Sequence, residues 1–292
     1  MKDTDAFNPQ LDKRRRYGTL ISGLLFLATM LGLVVLATLI VDVVTTGSGW
    51  LSRSFITGYP GATPEGSGIW PAIVGSLYLM LIVAATTVPL GVGTALYLEE
   101  YADEGSTKHI IELNITNLAG VPSVVYGILG LGVFVYLFDM GSSLLAAGLT
   151  LSLLVLPIVV ISTQEALRSI PQGVRESAFA LGATRSQVIW HHLIPMALPG
   201  IMTGIILSLS RAVGETAPLV LVGASLAINF TPAHLLDDFT ALPMLVFQWT
   251  EEPGASFQEL AAAAIIVLMA FLLLMNLSAI LLRNHFEDQL AG

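Results

Sequence analysis

Arg211 and Glu215 stand four residues apart in a stretch, Leu198–Leu226, that otherwise carries no charge. Charge within an apolar helix is costly, so such residues face a protein interior or an aqueous path. A spacing of four puts both side chains on one helical face. Two kinds of chemistry fit the pair. In one, guanidinium and carboxylate neutralise each other and hold their helix against a neighbour. In the other, the planar guanidinium, charged at any relevant pH, donates two hydrogen bonds to adjacent oxygens of an anion. Glu215 then balances Arg211 when the path is empty and accepts from a proton-bearing oxygen when it is full. Ser210 and Thr216 add hydroxyls beside the pair, and Ser208 reads as a packing or back-bonding hydroxyl. Gly214 and Pro218 predict a bend in the same helix.

A second group of chemistry-bearing residues lies in the preceding connection, 164–196. Pro171 suits a helix start, Gly182 a C-terminal stop, and Thr184 the cap of a following helix, so the expected shape is helix, turn, helix. Val174, Ala178 and Leu181 recur at helical spacing while Gln172, Arg175 and Glu176 face elsewhere, which offers an apolar side for docking on another protein. An amphipathic helix lying on a membrane surface fits the same pattern.

These residues need a scaffold, and composition says which kind. Of the 292 residues 54% are hydrophobic and 11% charged, against about 25% charged in an ordinary soluble domain. The net charge of −9 supplies no basic field for nucleic acid. The absence of cysteine removes disulfides, thiolate zinc sites and cysteine nucleophiles, and no histidine pair has metal-ligand spacing. A bilayer core needs about 20 mostly apolar residues per helix. Six stretches qualify, near Gly18–Val41, Pro71–Tyr97, Ile115–Phe138, Ser143–Thr163, Leu198–Leu226 and Glu259–Leu282. The first is too long to be a cleaved signal peptide.

Lysine and arginine set the orientation. Lys2, Lys13, Arg14, Arg15 and Arg16 precede the first span, and Lys108, Arg168, Arg175, Arg185 and Arg283 fall on the same side when the spans alternate; Arg53 alone falls opposite. The expected fold is therefore an all-α integral membrane protein of six transmembrane helices with both termini cytoplasmic. Its parts are a cytoplasmic arm, 1–17, a membrane domain, 18–283, and a cytoplasmic tail, 284–292. Within the membrane domain lies an outer loop, 227–258, whose apolar run Leu242–Trp249 suits a short helix or re-entrant piece at the outer interface.

Two motifs carry a resemblance. The run Glu176-Ser177-Ala178, three residues, Gly182, nine residues, then His192-Leu193-Ile194-Pro195 resembles the EAA loop of ABC importer permeases, departing from its pattern at Ser177, His192 and Ile194. In that family the first helix of the loop docks in a cleft of the ATPase subunit and transmits its closure. The resemblance thus assigns Glu176, Ser177, Ala178, Gly182 and Pro195 to ATPase coupling. Ser210-Arg211-Ala212-Val213-Gly214-Glu215-Thr216-Ala217-Pro218 is similar to the signature of phosphate importer permeases of the PstA type. Tyr97–Ala102, Asn117–Gly127 and Leu242–Thr250 support the likeness, which extends from about Ile69 to Arg283.

The resemblance implies a type I ABC importer permease fold in the plasma or inner membrane, and a substrate path holding Arg211, Glu215, Thr216 and Ser210. It also implies a second phosphate permease subunit, an ATPase dimer and an extracytoplasmic phosphate-binding protein as partners. No P-loop is present, so ATP and magnesium belong to the ATPase partner, no cofactor is expected on this chain, and it is not expected to be an enzyme. A permease for another anion shares the coupling loop. An ion-coupled secondary transporter explains six spans but gives no reason for that loop.

Overall fold

The computed structural model describes residues 11–223 and 228–291. The first ten residues of the expected arm, the end of the expected fifth span at 224–226, Ala227 of the outer loop and Gly292 lie outside the described residues. In chain order the α-helices are α1 Leu11–Gly47, α2 Arg53–Thr57, α3 Trp70–Leu96, α4 Ser106–Ala119, α5 Ser123–Gly130, α6 Leu144–Arg168, α7 Gln172–Ala180, α8 Arg185–Val188, α9 Ile194–Val213, α10 Ala217–Val222, α11 Leu242–Glu251 and α12 Ala255–Ala291. Three π-helical segments, Tyr97–Tyr101, Leu131–Leu137 and Ile189–Leu193, extend α3 and α5 and join α8 to α9.

Among the described residues five helical runs are long and apolar enough to cross a membrane: Lys13–Trp50, Trp70–Tyr101, Leu144–Arg168, Arg185–Val213 and Ala255–Asn284. The third expected span, Ile115–Phe138, is not one helix. It is α4 and the run through α5, meeting at a bend of 102°. Val121 precedes Pro122, which disfavours helical backbone there, and Pro122 has no N–H to donate, so α4 must stop. The carbonyl of Leu118 accepts both from the Val121 N–H at 3.1 Å and from the Tyr126 hydroxyl at 2.9 Å, which ties α5 back to the end of α4.

α6 is the hub of the bundle. Leu144, Ala146, Ala147, Leu151 and Val155 on it are fully buried between α3, α5 and α9. The α9 contact uses the Gly200-x-x-x-Gly204 spacing: a Cβ on Gly200 would stand 2.8 Å from Ala166 Cβ, and one on Gly204 would collide with Ser162. Bare glycine lets the two backbones approach, the usual device where lipid gives helices no hydrophobic reason to associate. α1 packs on α12 while Leu24, Leu27 and Leu31 remain exposed, a surface that suits lipid or another membrane chain.

At the opposite end from α7, the described part of the segment expected as the outer loop is tied down. Asp237 and Leu235 carbonyls accept from the Leu144 and Leu145 amides at the head of α6, and Ser76 Oγ accepts from Leu242 N at 2.9 Å. The apolar run Leu242–Trp249 forms α11, but Trp249 is buried against Phe55, with ring centroids 6.2 Å apart. Its ring fills a packing cluster with Leu245 and Leu260 instead of anchoring at a lipid interface.

Candidate substrate path and coupling surface

The expected fifth span is broken at the signature. α9 ends at Val213, Gly214 and Glu215 close the last turn through the carbonyls of Arg211 and Ala212, and α10 restarts at Ala217. Pro218 falls in the first turn of α10, where its missing N–H costs nothing. Gly214 has φ −89°, and a Cβ there would make only an ordinary contact, 3.9 Å from the Arg211 carbonyl oxygen, so the break does not depend on its conformational freedom. The expected bend is thus a stop and restart, with Pro218 on its far side.

Arg211 occupies the last turn of α9, where the helix dipole favours a cation. Its Nε lies 3.4 Å from Glu215 Oε1, a long contact, and the side chains are 46% and 18% exposed. The pair is therefore not enclosed within this chain: the guanidinium stands half free at the surface of an apolar bundle. Thr216, half-buried, directly follows Glu215. Ser210 turns elsewhere, with its hydroxyl 2.7 Å from the Ile206 carbonyl and 2.6 Å from Asn276 Oδ1 on α12. Ser208 bonds back to the Gly204 carbonyl at 2.8 Å. α10 packs on α5 where Gly127 meets Pro218 and Leu221, so the two broken spans lie against each other beside Arg211.

The connection 164–196 has the expected helix, turn, helix form. Gly182 at φ +84° ends α7, with its own N–H on the Phe179 carbonyl and the Ala183 N–H on the Ala178 carbonyl. That is the six-to-one closure of a Schellman stop, and it needs left-handed backbone. Thr184 then caps α8, its N–H donating to Gln187 Oε1 at 2.8 Å in a capping box.

The faces of α7 correct one expectation. Val174 and Ala178 turn inward onto Leu167, Ile170 and Leu193 of the same chain, so that part of the apolar side is already occupied and only Leu181 of the three stays outward. The outward surface consists of Glu176 and Ser177 with exposed Phe179 and a nearly fully exposed Leu181. Ala178 therefore sets the position of α7, and Pro195 lies in the first turn of α9. Burial of the small side of a short amphipathic helix on its own bundle explains the reversal.

A charge network beside α7 escaped the sequence reading. Glu99 and Glu100 leave the π-turn Tyr97–Tyr101 in different directions. Glu99 meets Arg168 and accepts from Gln164 Nε2 at 2.8 Å, while Glu112 on α4 also accepts from Arg168 at 2.8 Å. Glu100 pairs with Arg175 at 2.8 Å. The acidic doublet in Tyr97–Ala102 was the available signal, but pairing across 75 residues has no trace in spacing. Away from the membrane spans, two exposed carboxyls are held below the usual carboxylate range. A hydrogen bond from Lys108 does this for Glu104, and the backbone N–H groups of His234 and Ala233 do it for Asp237.

Residues 87–291 match the family described as "Binding-protein-dependent transport system inner membrane component". The chain belongs to this family. The Phosphate transport system permease protein PstA 1 of Mycobacterium tuberculosis is 34% identical over 288 residues, covering 95% of this chain and 92% of that protein. The PstA protein of Mycobacterium leprae is 36% identical over 267 residues, covering 88% and 86%. A bacterial alginate ABC transporter, solved with an alginate-bound periplasmic protein, superposes with a TM-score of 0.64 over 92% of this chain and 96% of the other at 15% identity, a likeness of fold. Membership makes the chain a membrane-embedded, multi-pass permease subunit of an ABC transporter, whose assembly includes a partner permease, ATPase subunits and a substrate-binding protein.

Proposed function

We propose that this chain is a permease subunit of an ATP-driven importer of inorganic phosphate and forms the translocation path with a second permease subunit. The observation that carries this reading is the half-exposed Arg211 at the broken end of α9. A guanidinium left accessible on an apolar bundle and only loosely paired to Glu215 is available to an anion, and its fork matches two phosphate oxygens. The PstA-type sequence around it and the phosphate-transport names of the relatives support the choice of anion. Phosphate keeps a proton near neutral pH and sulfate does not, so Glu215 can accept a hydrogen bond from phosphate alone. Thr216 adds a hydroxyl beside it.

In this reading the end of the bundle that carries α7 with Arg168, Arg175 and Arg185 faces the cytoplasm. Glu176 and Ser177 meet the ATPase, Ala178 and Gly182 aim the helix, and Pro195 starts the helix that carries Arg211. ATP and magnesium are used by the ATPase dimer, and a phosphate-binding protein delivers substrate to the outer face. The test is phosphate uptake by the reconstituted complete assembly in vesicles. Uptake should require the ATPase and ATP, persist when ion gradients are collapsed, and be reduced by arsenate far more than by sulfate. Gradient-driven uptake without the ATPase, or equal competition by sulfate, would overturn the assignment.

A further inference from the structure

α7 is nine residues long, and its inward apolar contact rests on Ala178 and Val174, a small area from which to move a whole bundle. A polar joint supplements it. Arg175 donates to Glu100 Oε1 from Nε at 3.2 Å and from Nη2 at 2.8 Å. Its remaining reach is used on the C-terminal end of α6 and the turn beyond, with Nη2 3.1 Å from the Leu167 carbonyl and Nη1 3.2 Å from the Ile170 carbonyl. The side chains of Arg175 and Glu100 are only 15% and 10% exposed. One guanidinium thus fastens α7 to α3, to α6 and to the turn between α6 and α7.

Adjacent residues of a helix do not share a face, so Glu99 and Glu100 in the π-turn let the end of α3 serve two neighbours. A π-turn inserts a residue into the helical ladder and changes the direction of the side chains after it. Here Glu99 engages Gln164 and Arg168 on α6 while the adjacent Glu100 reaches α7. Since α3 and α6 are already packed along their lengths, a displacement of α7 that keeps the Arg175 bonds must carry both helices with it.

We infer that Glu100 and Arg175 are positioning residues for transport: they form the joint through which movement of α7 reaches α3 and α6. The inference rests on the proposed function insofar as α7 is driven by an ATPase. Neither residue needs to touch that partner, because α7 presents Glu176, Ser177 and Leu181 outward. Loss of the joint should therefore leave docking intact and waste its motion.

The experiment compares Arg175→Gln, Glu100→Gln, Arg175→Lys and the Glu100→Gln/Arg175→Gln double variant in the complete assembly. ATPase association, ATP hydrolysed per phosphate imported, and stimulation of hydrolysis by the loaded binding protein are measured together. Each Gln variant should assemble normally and consume at least about tenfold more ATP per phosphate. Arg175→Lys should fall between Gln and wild type. The double variant should be no worse than Arg175→Gln alone, which already removes the shared Glu100 contact together with the two carbonyl contacts. An unchanged ratio, additive losses, or a decline fully accounted for by lost ATPase association would overturn the inference. A wild-type assembly that imports a different anion would instead refute the phosphate reading, and the joint would still be judged by binding-protein stimulation in the same samples.

Discussion

Replacing Arg211 by lysine separates a transport role from a structural one because the structure assigns the two roles different sizes. The contact with Glu215 is 3.4 Å long and Arg211 is 46% exposed, so it resembles a surface pair. Such pairs contribute about 0–1 kcal/mol, and lysine retains the charge, so assembly should change by no more than about fivefold. A bidentate contact to an anion is another matter. Losing one charge-assisted hydrogen bond costs about 1.5–3 kcal/mol. At about 1.4 kcal/mol per factor of ten, Arg211→Lys should lower phosphate uptake by about 10- to 150-fold if the bond is realised in the rate-limiting state. The assay is initial uptake in vesicles, normalised to assembled complex. Near-normal phosphate uptake by well-assembled Arg211→Lys would refute direct ligation and leave the residue as the loosely paired cation at the end of α9.

Gly182→Leu should re-aim α7, because φ +84° costs a side chain about 1–2 kcal/mol and the Schellman stop must reorganise; pull-down with the ATPase should weaken while membrane abundance is kept. Gly204→Val should reduce folded protein in the membrane through its collision with Ser162, whereas Gly93→Ala, which faces open space, should stay close to wild type in a thermal-aggregation assay. Asp237 is stabilised as a carboxylate by two backbone N–H groups, so its pKa is lowered on folding and its contribution is complete above the unfolded value. That contribution should be lost as pH falls through the lowered folded value, seen as smaller amide-exchange protection factors, relative to the intrinsic rate at each pH, at Ala233 and His234; Asp237→Asn should remove this pH dependence.

The membrane class and most of the spans were readable because a bilayer demands about 20 apolar residues per helix, a local and countable property. The α7 turn was readable for a similar reason: Pro171, Gly182 and Thr184 act within one helical turn of themselves. The third span was not, since apolar composition continues across Gly120-Val121-Pro122 while the backbone bends by 102°. Hydropathy records what lipid tolerates and is blind to where the ladder stops.

The sequence alone determined that Arg211 and Glu215 lie close together, that Gly182 ends a helix and that the chain is built of membrane helices; each follows from neighbours within a few residues. Tertiary structure decided how exposed Arg211 is, which side of α7 remains free, and that Ser210 turns to Asn276. It also decided that Glu100 meets Arg175. Those outcomes depend on which distant helices compete for each surface, and pattern within one helix carries no information about the competitor.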